Sequence, residues 1–241
     1  MHESARHIVD LYQRHARAWD QRRRANPEAF EGEQAWLERF RRVMGQGGQV
    51  LDLGCGGGEP IARNLIEHQC AVTGVDSSAT LLDHCRQRFA GQQWIHADMR
   101  SLALDQDFAG ILAWNSLFHL SPDDQRAMFA VFERHAGPGC ALMFTSGPEA
   151  GEAIGEFEGQ DLYHASLPQG NTAPCSTPMV SRWCSTSAKT RTAAGSPFGW
   201  RGRLTGDEKK PAQGPVFLHG AVSASSCCGP AHSALGLGLR P

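Results

Sequence analysis

One stretch constrains this chain more than any other: QVLDLGCGGGEP, residues 49–60, followed 18 residues after Gly58 by Asp76, which closes a second apolar run, AVTGVD. An apolar strand, a glycine-rich turn, a helix and a second strand ending in an acid make the first half of a nucleotide-type βαβ unit. A dinucleotide fingerprint needs its third glycine three residues after its second. Here Gly54, Gly56 and Gly58 run G-x-G-x-G, and Glu59 fills that slot. A pyrophosphate on the helix N-terminus would meet Glu59 and lie close to Asp52, and carboxylates beside phosphates repel. The expected cofactor is cationic or zwitterionic at that end.

From Val50 onward the pattern alternates as a parallel α/β sheet requires. It predicts strands at 49–53, 70–75, 92–96, 109–114 and 139–145. Helices are expected at 59–68, 78–89 and 122–136, with Ser121 as N-cap and Pro122 at the first helical position of the last. Pro60 is expected to open its helix in the same way. Upstream, Ile8, Leu11, Tyr12, His15 and Trp19 recur at helical spacing over residues 5–24, with Arg22, Arg23 and Arg24 beyond them. A second amphipathic helix is expected over 34–44, with Trp36, Leu37, Phe40 and Val43 on its apolar face. The arginine run reads as a solvated helix end, since no aromatic-interleaved basic patch accompanies it. Residues 147–168 read as a long loop with one turn of helix.

These residues resemble the class I (Rossmann-like) S-adenosylmethionine-dependent methyltransferases, in particular their small-molecule group, over about residues 8–168. The resemblance implies a doubly wound, mostly parallel α/β sheet under an N-terminal helical cap, with S-adenosyl-L-methionine as cofactor. Carried over position by position, Gly54, Cys55, Gly56 and Gly58 match the turn at the methionine part, and Asp52 the acid inside the first motif. Asp76 with Ser77 matches the ribose site, and Asp98-Met99 the adenine site. The expected domains are a helical cap at 1–47, a cofactor-binding domain at 48–168 and a low-complexity tail at 169–241.

Methyl transfer is an in-line displacement, so holding the acceptor opposite the departing sulfur is most of the chemistry. The place to look is the carboxyl end of the fourth strand, Trp114 to His119, because ligands bind outside these ends in open α/β sheets. Asn115 is expected at the cofactor. His119 is a candidate to take a proton from a hydroxyl or amine acceptor, with an orienting or packed histidine as the alternative. Tyr12 and Trp19 are expected to lid the cofactor, with core packing as the alternative, and Tyr163 with His164 to line the acceptor pocket, with a surface loop as the alternative. The N/D-P-P-Y/F signature of nucleic-acid and protein amide or amine methyltransferases is absent, which argues for a small-molecule acceptor. Eleven histidines and eight cysteines show no zinc-ligand spacing. No apolar run suits a membrane span and the N-terminus lacks a signal core, so cytoplasmic residence with reduced thiols is expected.

Charge divides the chain. Residues 1–170 carry 15 Arg, no Lys and 23 acids, whereas 171–241 carry five Arg, three Lys and two acids. The tail has no helical or strand periodicity, and the helix and strand pair that the resemblance requires after residue 168 are missing. A frameshift near Gly170 or a natural disordered extension is expected, leaving the strand at 139–145 as an exposed edge. A non-catalytic S-adenosylmethionine binder is therefore the alternative function, and a nicotinamide-dependent oxidoreductase is disfavoured by Glu59.

Overall fold

The computed structural model describes residues 7–147, 150–168 and 216–221; for 27–29 and 216–221 the backbone path alone is described. Its centre is a parallel sheet of β1 (Gln49–Leu53), β2 (Ala71–Asp76), β3 (Gln93–His96), β4 (Phe108–Ala113), β5 (Ala136–Ser146) and β8 (Val216–Ala221), in the order β3-β2-β1-β4-β5-β8. The order reverses between β1 and β4, which opens a crevice at the carboxyl ends of those two strands.

Strand periodicity divides the core into two layers. Leu51, Leu53, Ile111, Ala113, Leu142 and Phe144 point to one face, where Met128, Phe129 and Phe132 of helix α6 (Pro122–His135) meet them. Val50, Val72, Leu112, Ala141 and Met143 point to the other, under Ile61, Ala62 and Leu65 of α4 (Ile61–Glu67) and Leu37 and Phe40 of α3 (Pro27–Met44). Helix α3 lies so close that a Cβ on Gly110 would stand 2.5 Å from the Phe40 ring and 2.7 Å from Met44 Sδ. The residues assigned to a cap at 27–44 therefore belong to the layer that covers the sheet. Helix α5 (Ala79–Arg88) starts from Ser78, whose hydroxyl accepts from Leu81 N, and buries Leu81, Leu82 and Cys85.

Two segments depart from the sequence reading. The helix expected over 5–24 is α1 (Ile8–Arg14) and α2 (Ala16–Arg24), separated at His15. Residues expected as a loop form an antiparallel hairpin, β6 (Gly151–Phe157) with β7 (Gln160–Ser166), joined at Glu158 and Gly159, both with positive φ (52° and 72°). Two consecutive positive φ values match the twist of a two-residue hairpin turn. The alternation was concealed because β6 is mostly exposed, so its apolar positions are sparse. Its inner residues, Phe157 and Leu162, pack on Leu11, Ile8, Tyr12 and Trp19. The hairpin thus backs α1 and α2, which roof the crevice.

The expectation that β5 is an exposed edge is corrected. Strand β8 pairs with it from Ala141↔Val216 to Ser146↔Ala221, giving the open N–H and C=O groups of β5 a partner. Periodicity could not find β8, because the six-residue run VFLHGA is short and stands alone in a tail of turn-forming residues. The remainder of the tail expectation lies outside the described residues. No helix among the described residues is long and apolar enough to cross a membrane.

Candidate functional site

A cavity of about 300 Å³ opens at the reversal of strand order, floored by the ends of β1, β2 and β4 and walled by α1 and α2. The turn after β1 bends because Gly54, Gly56 and Gly58 all take positive φ (75°, 57° and 78°), which costs least without a Cβ. Gly54 has a second reason: a Cβ there would lie 2.3 Å from Ser116 Cβ, and Ser116 Oγ donates to Leu53 O at 2.7 Å. Gly58 faces away from the cavity, its α-carbon against the Phe89 ring, so it shapes the turn without reaching a ligand.

Asp76 ends β2 with both carboxylate oxygens engaged by backbone: Gly56 N donates to Oδ2 and Ser78 N to Oδ1, each at 2.8 Å. Burial raises its pKa, and those N–H bonds pull the other way. Asp52, 2% exposed in the middle of the sheet, has an Oδ2 with no hydrogen-bond partner. Burial, then the charge of Asp76, push its carboxyl up to about 7. Asp98 caps the 3₁₀ turn Met99–Ser101 by accepting from Arg100 N, and Arg100 also clasps its carboxylate, holding its pKa below the usual range.

The remaining acids of the wall have arginine partners. Asp20 receives two 2.6 Å bonds from Arg88, which also donates to Gly57 O and so ties α2 to the glycine turn. Glu59 is clasped by Arg63, whose guanidinium lies 5.1 Å from the Phe89 ring centre. Asp98 and Asp124 share Arg100. Among the described wall residues, only Asp52 and Asp76 form no ion pair with an arginine. Glu59 alone is thus a weak reason to exclude a pyrophosphate; the stronger one is the pair at the strand ends.

At the other end, Asn115 sits in the left-handed region (φ 53°), its N–H bonded to Thr145 Oγ1. Its Nδ2 donates to Glu33 Oε1, which Arg23 also holds, while its Oδ1 is buried without a partner. Of the arginine run, Arg22 and Arg24 are exposed as a solvated helix end requires, and Arg23 is the exception. Arg23 pairs with Glu33 on the cavity wall, Arg22 with Glu158 of the hairpin turn, and Arg24 with Asp20.

His119 is buried between Tyr12 and the hairpin. Its Nδ1 lies 2.8 Å from Tyr163 O and its Nε2 2.8 Å from Tyr12 Oη. Burial, then the neighbouring His164, lower its pKa to about 3. As a free general base it is poorly suited, since its available nitrogen is already bonded and protonation is disfavoured. Tyr163 does not reach the cavity: its ring is buried and its hydroxyl donates to Glu152. It acts through its carbonyl.

The structure thus brings to one cavity Tyr12, Trp19, Asp52, Gly54, Cys55, Gly56, Asp76, Ser77, Asp98, Met99, Asn115 and His119, and leaves Gly58 and Tyr163 off its wall. Sequence reasoning missed Asp20, Arg23 and Asp124, while Trp114 and Ser116 fall inside the stretch from Trp114 to His119 that it singled out. Nothing in a single sequence marks Arg23 apart from its two arginine neighbours. No group of metal-ligating side chains exists among the described residues, and the four described cysteines, Cys55, Cys70, Cys85 and Cys140, are buried and unbridged.

A parallel sheet with reversed order, a glycine turn and an acid at the end of the neighbouring strand define the class I, Rossmann-like methyltransferase fold. Residues 50–139 match the family model described as a methyltransferase domain. Among curated proteins, trans-aconitate 2-methyltransferase of Azoarcus sp. is 38% identical over 95 residues, 39% of this chain and 36% of that protein. The ubiquinone biosynthesis O-methyltransferase of Coxiella burnetii is 35% identical over 90 residues, 36% of this chain and 38% of that one. The match spans little more than a third of the length of either relative. Among solved structures, DhpI in complex with SAH aligns with a TM-score of 0.56 at 19% identity, covering 68% of this chain and 80% of its own. This likeness is one of fold.

Proposed function

We propose that the chain binds S-adenosyl-L-methionine and transfers its methyl group to a small molecule in the cytoplasm. The observation that carries this reading is the pair of buried carboxylates, Asp52 and Asp76, that no arginine neutralises at the ends of β1 and β2. A buried acid with an orphan oxygen is costly, and a cationic group bonded to it removes that cost. A pyrophosphate in the same place would add to it.

The residues fit such a cofactor. Asp76 is held rigid by Gly56 N and Ser78 N, and each oxygen keeps a lone pair for the ribose hydroxyls. Asp52 Oδ2 and Asn115 Oδ1, both buried acceptors without partners, suit the ammonium. Leu81, Ala97 and Met99 give an apolar slot beside Asp98 for the adenine. When bound, S-adenosylmethionine supplies a methyl group already activated on a sulfonium. The chain's remaining task is to exclude water and aim the acceptor, which the roof of α1 and α2, backed by the hairpin, is placed to do.

Calorimetric titration of the full chain with S-adenosylhomocysteine, with NAD as control and circular dichroism to confirm folding, tests the reading. Saturable binding of S-adenosylhomocysteine alone is expected, weakened at least tenfold by Asp76→Ala. Binding of NAD alone, or of neither ligand by a folded chain, would overturn it.

A further inference from the structure

The bond between His119 and Tyr12 has a direction, and the direction selects a substrate. A carbonyl only accepts, so the 2.8 Å contact between His119 Nδ1 and Tyr163 O requires the proton on Nδ1. Neutral imidazole then leaves Nε2 as an acceptor, and the 2.8 Å contact to Tyr12 must be the tyrosine hydroxyl donating. The ring cannot turn over freely, since Phe118, His164 and Tyr12 pack around it at centroid distances of 4.6, 5.0 and 5.3 Å. It stays neutral at ordinary pH because burial and His164 oppose its protonation.

Resting on the methyltransferase reading above, we infer that Tyr12 meets the methyl acceptor as a hydrogen-bond acceptor, its only proton committed to His119, so that the site takes a group that donates a hydrogen bond, such as an amine N–H, and rejects a carboxylate. Tyr12 and His119 both stand on the cavity wall, and the phenol oxygen meets a ligand through its lone pairs. A carboxylate offers lone pairs against lone pairs. Arg23, the cation that would otherwise attract a carboxylate, is held by Glu33 through both guanidinium nitrogens at 3.1 and 2.8 Å. The ring of Trp19, also on the wall, stands 5.2 Å from that of Tyr12, giving the bound molecule an aromatic face. His119 is accordingly a positioning residue: it sets the polarity of Tyr12 and touches no reacting atom. In transfer, the amine nitrogen lone pair forms the new C–N bond as the S–CH₃ bond breaks with its electron pair leaving on sulfur, and the amine proton is lost to solvent.

The test uses the full chain loaded with S-adenosylhomocysteine and two probes of matched shape, benzylamine and benzoate. Wild type should bind benzylamine at least tenfold more tightly than benzoate. Tyr12→Phe should weaken benzylamine about tenfold, the scale of one charge-assisted hydrogen bond, and by more than it changes S-adenosylhomocysteine affinity. His119→Phe, which frees the Tyr12 proton to turn toward the cavity, should tighten benzoate severalfold; a merely structural histidine would not produce that gain. Nitrogen NMR of labelled histidine should report His119 as the Nδ1–H tautomer. Equal or tighter binding of benzoate to wild type, no saturable binding of either probe, or an Nε2–H tautomer would overturn the inference. Failure of S-adenosylhomocysteine to load would instead strike the reading beneath it.

Discussion

Asp52→Asn separates what this buried acid costs the fold from what it gives the ligand. An unfolded aspartate titrates near 3.9, whereas Asp52 in the folded chain is pushed up to about 7, by burial first and Asp76 second. Between those values the folded chain holds a proton that the unfolded chain has released. Stability therefore falls as pH rises through this window, and above 7 the penalty is complete. Three units correspond to about 4 kcal/mol; with water reaching the open cavity, we expect ~2–4 kcal/mol. Asparagine keeps the shape without the charge, so the variant should be more stable than wild type by that amount at pH 8 and equal to it near pH 4. Urea denaturation of both chains at each pH measures this, and the difference cancels the titration of the surface acids. Binding runs the opposite way. A cationic ligand on Asp52 expels its proton, so S-adenosylhomocysteine affinity should rise about tenfold per pH unit from pH 5 and level off above 7, while Asp52→Asn binds weakly and without that slope. An asparagine chain no more stable at pH 8, or a flat wild-type profile, would refute both the buried charge and its assignment to the ligand.

Three further outcomes are expected. Arg88→Met leaves Asp20 buried without its bidentate partner and releases α2 from Gly57; a loss of about 3 kcal/mol in urea midpoints is expected, with weaker S-adenosylhomocysteine binding. Gly54→Ala places a methyl 2.3 Å from Ser116 Cβ at a φ of 75° and should abolish cofactor binding in calorimetry, even where circular dichroism shows the helices retained. Ser121→Ala removes the hydroxyl that accepts from Asp124 N at the start of α6 and should cost about 1 kcal/mol in thermal denaturation, leaving ligand affinity unchanged.

The parts legible in the sequence were those governed by neighbours in the chain. Strands β1 to β5 and helices α4 to α6 followed from period and punctuation: Ser121 caps α6 and Pro122 opens it as expected. Pro60 stands one residue earlier than expected, as the N-cap of α4. Gly54, Gly56, Asp52, Asp76 and Asp98 reach the cavity because strand order and turn geometry leave them nowhere else to go. The hairpin was illegible for a different reason: β6 buries little beyond Phe157 and gives no alternating signal. Strand β8 is fixed by pairing with β5, 75 residues upstream at Ala141↔Val216, and no local pattern announces it.

The sequence by itself determined a parallel sheet with a carboxylate-lined turn, because dihedral preference and side-chain period act over a few residues. Only the tertiary structure decided that Arg23 serves Glu33 rather than solvent, and that His119 spends its two nitrogens on Tyr163 and Tyr12. Those outcomes join residues 10 to 107 positions apart. A hydrogen bond or ion pair acts over about 3 Å in space, and sequence separation carries no information about that distance until the chain has folded.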